Sequence, residues 1–221
     1  VDVVVAENAD NRITMWTSDG AANTPAFTEA IAQTGCYGVT DLFAVDMDGN
    51  GVMDVLSSEL TTDAIAWHTG VPDGSGGIAI ARTIITAGEG TGYVSSGCYV
   101  DACDYSAWPE GAGMSGADEA ASVWAVDLDG DNTIDALSAS PGGGPTEEGE
   151  VAWYQNDGTS QKFLKYLING KAAGANSVLA IDVDLDGDID AASGAGNPDH
   201  LIQWYEDDCM TFAPTSEPTA V

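Results

Sequence analysis

Leu42–Glu59 read LFAVDMDGNGVMDVLSSE, and Val123–Ser140 read VWAVDLDGDNTIDALSAS. The two stretches align without a gap, and a third copy, VLAIDVDLDGDIDAASGA, runs from Val178 to Ala195. A truncated fourth stands at residues 1–8, where VDVVVAEN matches only the part that begins at the closing aspartate. Each copy is an apolar β-branched or aromatic run, a turn of Asp, Gly and Asn, and a second short apolar run. That is the signature of a strand, a tight loop and a strand.

Working outward, each copy is followed by another strand that ends in tryptophan: ITMW (Trp16), AIAW (Trp67), EVAW (Trp153) and LIQW (Trp204). Turn signals and a further strand such as FLKYLI follow. The closing aspartates recur at Asp2, Asp54, Asp135 and Asp190, and the longest interval between them holds a Gly-rich, unpatterned insertion. No helical periodicity runs far enough to compete. Short strands in units of about 50 residues predict an all-β fold of four-stranded antiparallel β-propeller blades, a partial or assembled propeller with about three to four blades in this chain. The expected boundaries are an incomplete first blade at 1–36, a second blade at 37–86, an insertion at 87–118, a third blade at 119–171, a fourth, incomplete blade at 172–207, and a Pro/Thr/Ser-rich tail at 208–221. The repeated tryptophan reads as a core residue packing one blade against the next.

The chemistry lies in the loops. The first runs Asp46, Asp48, Asn50, Val52, Asp54 at positions 1, 3, 5, 7 and 9; the second Asp127, Asp129, Asp131, Thr133, Asp135; the third Asp182, Asp184, Asp186, Asp188, Asp190. Alternate spacing in a tight turn directs oxygen donors onto one centre, with position 7 adding its backbone carbonyl. Oxygen donors without His or Cys select calcium; magnesium, which retains more water, comes second. Three Ca2+ sites are therefore expected. Position 6 needs a residue tolerant of positive φ, which Gly51, Asn132 and Gly187 supply. An EF-hand or dockerin loop starts alike but needs an acidic ligand at position 12, where this chain has Ser57, Ser138 and Ser193, and its flanks are helices rather than strands. Without metal, the crowded carboxylates of each turn would repel one another.

These runs, FAVDMDGNGVMDVLSS followed by AIAW and WAVDLDGDNTIDALSAS followed by VAWYQNDG, resemble the FG-GAP/VCBS repeat family, which includes the calcium-binding blades of the integrin α-subunit propeller. The resemblance covers almost the whole chain to about residue 207. It implies four-stranded blades around a pseudo-axis, calcium in the hairpin loops through the residues named above, and an extracellular setting. Asp2 matches only the closing ligand, so no fourth site is expected there. The family's complete propellers have more blades than this chain, so a ring closed by this chain alone is not expected.

Composition bounds the partners. The chain has 36 acidic residues against five basic ones, a formal charge of −31, which repels nucleic acid and anionic membrane surfaces. A merely solubilising or halophile-like acidic surface would also carry such a charge; the register of the acids in the loops argues for cations. No apolar run of about 18 residues is present to span a membrane as a helix. The first residues read as a strand rather than a leader, so the chain looks like a processed or excerpted part of a longer protein. Four cysteines, Cys36, Cys98, Cys103 and Cys209, permit two disulfides; the close pair Cys98 and Cys103 is the favoured one, and an oxidising, secreted location fits better than zinc. No Asn-x-Ser/Thr sequon occurs, whereas APTSEPTAV at the C-terminus reads as an extended stalk open to O-glycosylation.

No catalytic constellation emerges. His68 takes the place of Tyr154 and Tyr205 in the sister repeats and reads as a packing variant; His200 lies in the turn before the last tryptophan strand. There is no Gly-x-Ser-x-Gly elbow, and no glycine-rich loop opens a helix. The expectation is a non-enzymatic, extracellular or cell-surface calcium-binding protein, structural or adhesive. Its partners would be proteins, glycans or copies of itself paired through exposed blade edges into a filament or ring. The alternative is a propeller module, catalytic or not, of a secreted polysaccharide-active enzyme.

Overall fold

The computed structural model describes residues 2–72, 78–85, 119–142, 149–156, 158, 163–196 and 200–206. The expected insertion at 87–118, the tail at 208–221, and Cys98, Cys103 and Cys209 lie outside the described residues.

Among the described residues, fourteen strands form four antiparallel sheets, each a meander in which sequence neighbours pair. The first sheet holds β1 (Val3–Glu7), β2 (Arg12–Ser18) and β3 (Phe27–Thr34). The second holds β4 (Val39–Val45), β5 (Asp54–Glu59), β6 (Ala64–Pro72) and β7 (Ile78–Ile84). The third holds β8 (Ser122–Val126), β9 (Asp135–Ser140), β10 (Glu150–Asn156) and β11 (Phe163–Asn169), and the last β12 (Ala175–Ile181), β13 (Asp190–Ala195) and β14 (Ile202–Tyr205). The fold is all-β with propeller-like blades; its single helical element is one 3-10 turn at Asn8–Asp10 among the described residues.

Sheets stack on one another, so the second strand of each central blade is covered on both faces. Every residue of β5 (DVLSSE) and β9 (DALSAS) is buried. Small Ser and Ala side chains suit a strand with neighbours on both sides, because two stacked sheets leave only about 10 Å between backbones. One core layer (Ile13, Cys36, Val39, Val55) lies between the first and second sheets. A second (Met47, Leu56, Ile65, Trp67 against Val123, Ala136 and Tyr154) lies between the second and third. A third (Leu128, Leu137, Trp153, Tyr166 against Ala175, Val178 and Ala191) lies between the third and fourth. Trp67 and Trp153 thus occupy equivalent places in successive layers, while Trp204 is partly exposed.

The first blade departs from the expected alignment. Leu56 pairs with Trp67, Leu137 with Trp153 and Ala192 with Trp204, in each case two residues beyond the closing aspartate. In the first sheet that register pairs Val4 with Met15, and Trp16 sits opposite Val3. Because side chains alternate across a strand, Met15 stands in the tryptophan position and Trp16 in the place of His68, Tyr154 and Tyr205.

The blades are joined through their first strands: β4 lies against β8, and β8 against β12. Asp41, Ser122 and Ser177 share one register position. The Asp41 carboxylate accepts the Ser122 hydroxyl at 2.9 Å and the Val123 amide at 3.1 Å. The Ser122 Oγ in turn accepts the Val178 amide at 3.3 Å. Thr40 also donates to the Ala120 carbonyl at 3.2 Å.

Candidate functional site

Each acidic loop connects the first and second strands of a blade, and its shape is set by side chains bonding backbone a few residues on. The position-1 carboxylate accepts the amide of position 6: Asp46 from Gly51 at 2.7 Å, Asp127 from Asn132 at 2.9 Å, Asp182 from Gly187 at 3.2 Å. Position 3 accepts the amide of position 5 in all three loops, at 3.1–3.2 Å. Position 5 accepts the amide of position 7: Asn50 from Val52, Asp131 from Thr133, Asp186 from Asp188. These are Asx turns, for which short oxygen-bearing side chains are suited.

Two residues per loop are left-handed. Position 6 is so in Gly51, Asn132 and Gly187 (φ 85°, 70° and 108°), and position 4 in Gly49, Gly130 and Leu185 (φ 70°, 73° and 66°). The need at position 4 is hidden by Leu185, a residue type that rarely adopts this conformation.

Carboxylate oxygens converge at positions 1, 3 and 9. Asp46, Asp48 and Asp54 each place an oxygen within 4.8 Å of the others, and so do Asp127, Asp129 and Asp135, and Asp182, Asp184 and Asp190. The triads are formed by positions 1, 3 and 9, while position 5 turns to the position-7 amide beside them, Asn50 to Val52, Asp131 to Thr133 and Asp186 to Asp188. Position 7 enters through its amide; the Asp188 side chain is also buried.

The closing aspartate has a second role that the spacing of the acids does not disclose. Asp54 is fully buried; one oxygen accepts the Met47 amide (3.1 Å) and the Trp67 indole N–H (2.9 Å), the other the Gly70 amide (2.6 Å). Asp135 repeats the two backbone contacts, taking the Leu128 amide (3.2 Å) and the Asn156 amide (2.8 Å). Asp190 takes the Val183 amide at 2.9 Å, and even Asp2, which lacks a loop, takes the Ser18 amide at 2.9 Å. Position 9 is therefore a buckle tying the loop to the tryptophan strand through Gly70 and Asn156, and in the second blade Trp67 is both core and hydrogen-bond donor.

Burial pushes the Asp135 carboxyl up to about 7 against the Asn156 and Leu128 amides, and the nearby charge of Asp129 pushes the same way. Burial likewise raises Asp54 and Asp129, the latter with added repulsion from Asp131 and Asp127. Asp184 is raised by desolvation and by Asp186, whereas Asp186 is lowered by its hydrogen bond with Asp188. One Asp127 oxygen is buried with no hydrogen-bond partner. Closely spaced anionic oxygens, one of them unsatisfied, in an all-oxygen donor set suit a hard divalent cation.

The position-12 serines have a use of their own. Ser138 bonds the Tyr154 hydroxyl at 3.2 Å, Ser193 the Tyr205 hydroxyl at 3.1 Å, and Ser57 the His68 Nε2 at 2.8 Å. His68 is thus the packing equivalent of the tyrosines, buried and capped by the same serine. His200 sits at a left-handed turn before β14.

Residues 127–193 match the family model of the FG-GAP-like repeat, beginning at Asp127 of the second loop and ending just past Asp190. The chain carries an FG-GAP-like repeat. The matched span holds two of the three carboxylate triads and the strands between them. The Leu42–Glu59 stretch reproduces the same loop and buckle outside that span. No curated protein matches the chain.

Proposed function

We propose that this FG-GAP-like repeat chain is a non-catalytic, extracellular or cell-surface interaction module whose blades are stiffened by three calcium ions. Asp46, Asp48 and Asp54, then Asp127, Asp129 and Asp135, then Asp182, Asp184 and Asp190 supply the carboxylates. The carbonyls of Val52, Thr133 and Asp188, and the side chains of Asn50, Asp131 and Asp186, complete each shell. The observation that carries this reading is one oxygen-only triad recurring in the same register of three successive blades.

When bound, calcium neutralises the anionic cluster of each turn. The protein contributes the rest: Asx turns fix the loop, the closing aspartate ties it to the tryptophan strand, and stacked sheets keep that strand dry. Such rigid blades present their remaining loops and edges to protein or glycan partners, or to further copies of the chain.

The test is calcium titration with calorimetry, followed by thermal unfolding with and without chelator. Three ions per chain are expected, with magnesium binding more weakly. At free calcium about a hundredfold above Kd, each site adds about 2.7 kcal/mol, so three add about 8 kcal/mol. For a domain of this size that raises Tm by roughly 15–30 °C. Equal midpoints in calcium and chelator would refute the reading.

A further inference from the structure

Apart from the acidic loops, one cluster of side chains able to ligate a metal lies, among the described residues, between the first and second sheets. Cys36 comes from the β3–β4 connection, Glu59 ends β5, and His68 sits in the middle of β6. All three are fully buried, and the Cys36 sulfur, a Glu59 oxygen and a His68 ring nitrogen lie within 4.8 Å of one another. Cys36 is a free thiol. His68 Nε2 is engaged by Ser57, while Nδ1 is buried with no hydrogen-bond partner. Sister blades avoid that arrangement, because the ring there is Tyr154 or Tyr205, whose one polar atom is already capped by serine.

We propose that Cys36, Glu59 and His68 form a second kind of metal site, one for a borderline transition ion of the zinc class, distinct in chemistry from the calcium loops. The proposal extends the reading above but does not depend on it. One sulfur, one imidazole nitrogen and one carboxylate oxygen make a donor set that favours zinc over calcium or magnesium. Tetrahedral zinc needs donors about 3.3–3.8 Å apart, so closure asks each side chain to move by about 1 Å at most.

The surroundings fit such an ion. Nε2 bonded to serine leaves Nδ1 for the metal, the arrangement in which a ligating imidazole is oriented through its other nitrogen. Arg82 donates to both Glu59 oxygens, and Thr62 donates to one at 3.0 Å. Each carboxylate oxygen has two lone pairs, so these bonds fix the carboxylate without using up its acceptor capacity. Cys36 is a thiol, so ion binding releases its proton to solvent as the sulfur–metal bond forms.

The test uses the full chain, reduced and calcium-saturated, titrated with cobalt(II) and then with zinc. One cobalt per chain is expected, with a tetrahedral visible spectrum and a thiolate-to-cobalt charge-transfer band, displaced by one equivalent of zinc. His68→Tyr, which installs the sister-blade residue, and Cys36→Ser should both abolish the band. Calcium stoichiometry should stay the same in each. X-ray absorption at the zinc edge of the unaltered protein needs no variant and should show a single sulfur among nitrogen and oxygen neighbours. No charge-transfer band in the folded protein, a band that survives His68→Tyr, or two or more sulfurs on the zinc would each overturn the assignment. Failure of calcium binding, by contrast, would leave it standing.

Discussion

The dual role of position 9 can be separated from metal binding by comparing Asp54→Asn with Asp48→Asn. Both remove one carboxylate charge from the same triad. Asp54, however, is fully buried and accepts three N–H groups, from Met47, Trp67 and Gly70. An asparagine there keeps one acceptor and turns an NH2 toward at least one of those donors. In the least harmful orientation the NH2 faces Gly70, leaving the Gly70 amide and the new NH2 itself without acceptors. At about 1–2 kcal/mol for each, the loss is about 2–4 kcal/mol. Asp48 is exposed and, among the described residues, accepts the Asn50 amide, which an asparagine oxygen still serves. Its replacement should cost under about 0.5 kcal/mol without metal and show its effect only in calcium. The assay is urea unfolding at pH 8, in chelator and in saturating calcium. Asp54→Asn should be destabilised in both, Asp48→Asn in calcium alone. If the two variants were indistinguishable in chelator, the buckle would carry no stability of its own and position 9 would be a ligand only.

Gly149→Ala should destabilise by about 3 kcal/mol in thermal unfolding, because a Cβ would stand 2.5–2.7 Å from the carbonyl oxygens of Ala172, Ser140 and Pro141. Leu185→Gly should stabilise by about 1 kcal/mol, raising Tm by about 2–4 °C with calcium stoichiometry unchanged, since an 85% exposed leucine at φ 66° has little packing to lose. His68 has a folded pKa of about 4, below its unfolded value near 6.5, so its contribution is complete above pH 6.5 and lost as pH falls through 4. In chelator, the stability advantage of the native chain over His68→Tyr should therefore shrink by about 3 kcal/mol between pH 7 and 4, read by urea unfolding at each pH; a constant difference would contradict it.

Period and spacing made the strand–loop–strand unit readable because both are local. The donors at positions 1, 3 and 9 and the turn residue at 6 follow from a tight loop, whatever packs around it. What lay beyond reading depends on pairing across strands. Met15 rather than Trp16 fills the tryptophan place because the first sheet pairs one residue differently, and adjacent Met-Trp looks equally good in either register. The bond from Trp67 to Asp54 joins residues on neighbouring strands, so each appeared in the sequence with half its role. The serines at position 12 excluded one loop type, while their bonds to His68, Tyr154 and Tyr205 emerged only with the register. Cys36, Glu59 and His68 come from separate segments with no shared spacing, and no linear motif could have grouped them.

The contact running from Asp41 to Ser122 to Val178 has a direction. The third blade offers the Ser122 side chain as acceptor to the blade after it and the Val123 amide as donor to the blade before it, and the second and fourth blades supply the matching halves from the same strand positions. Such a head-to-tail joint makes the blades interchangeable. A gene duplication that copies one unit in frame brings both halves of its joint with it, so the array can lengthen or shorten without a new interface having to arise. A joint matched face to face would lack that freedom, since an added unit would meet a partner of the wrong hand.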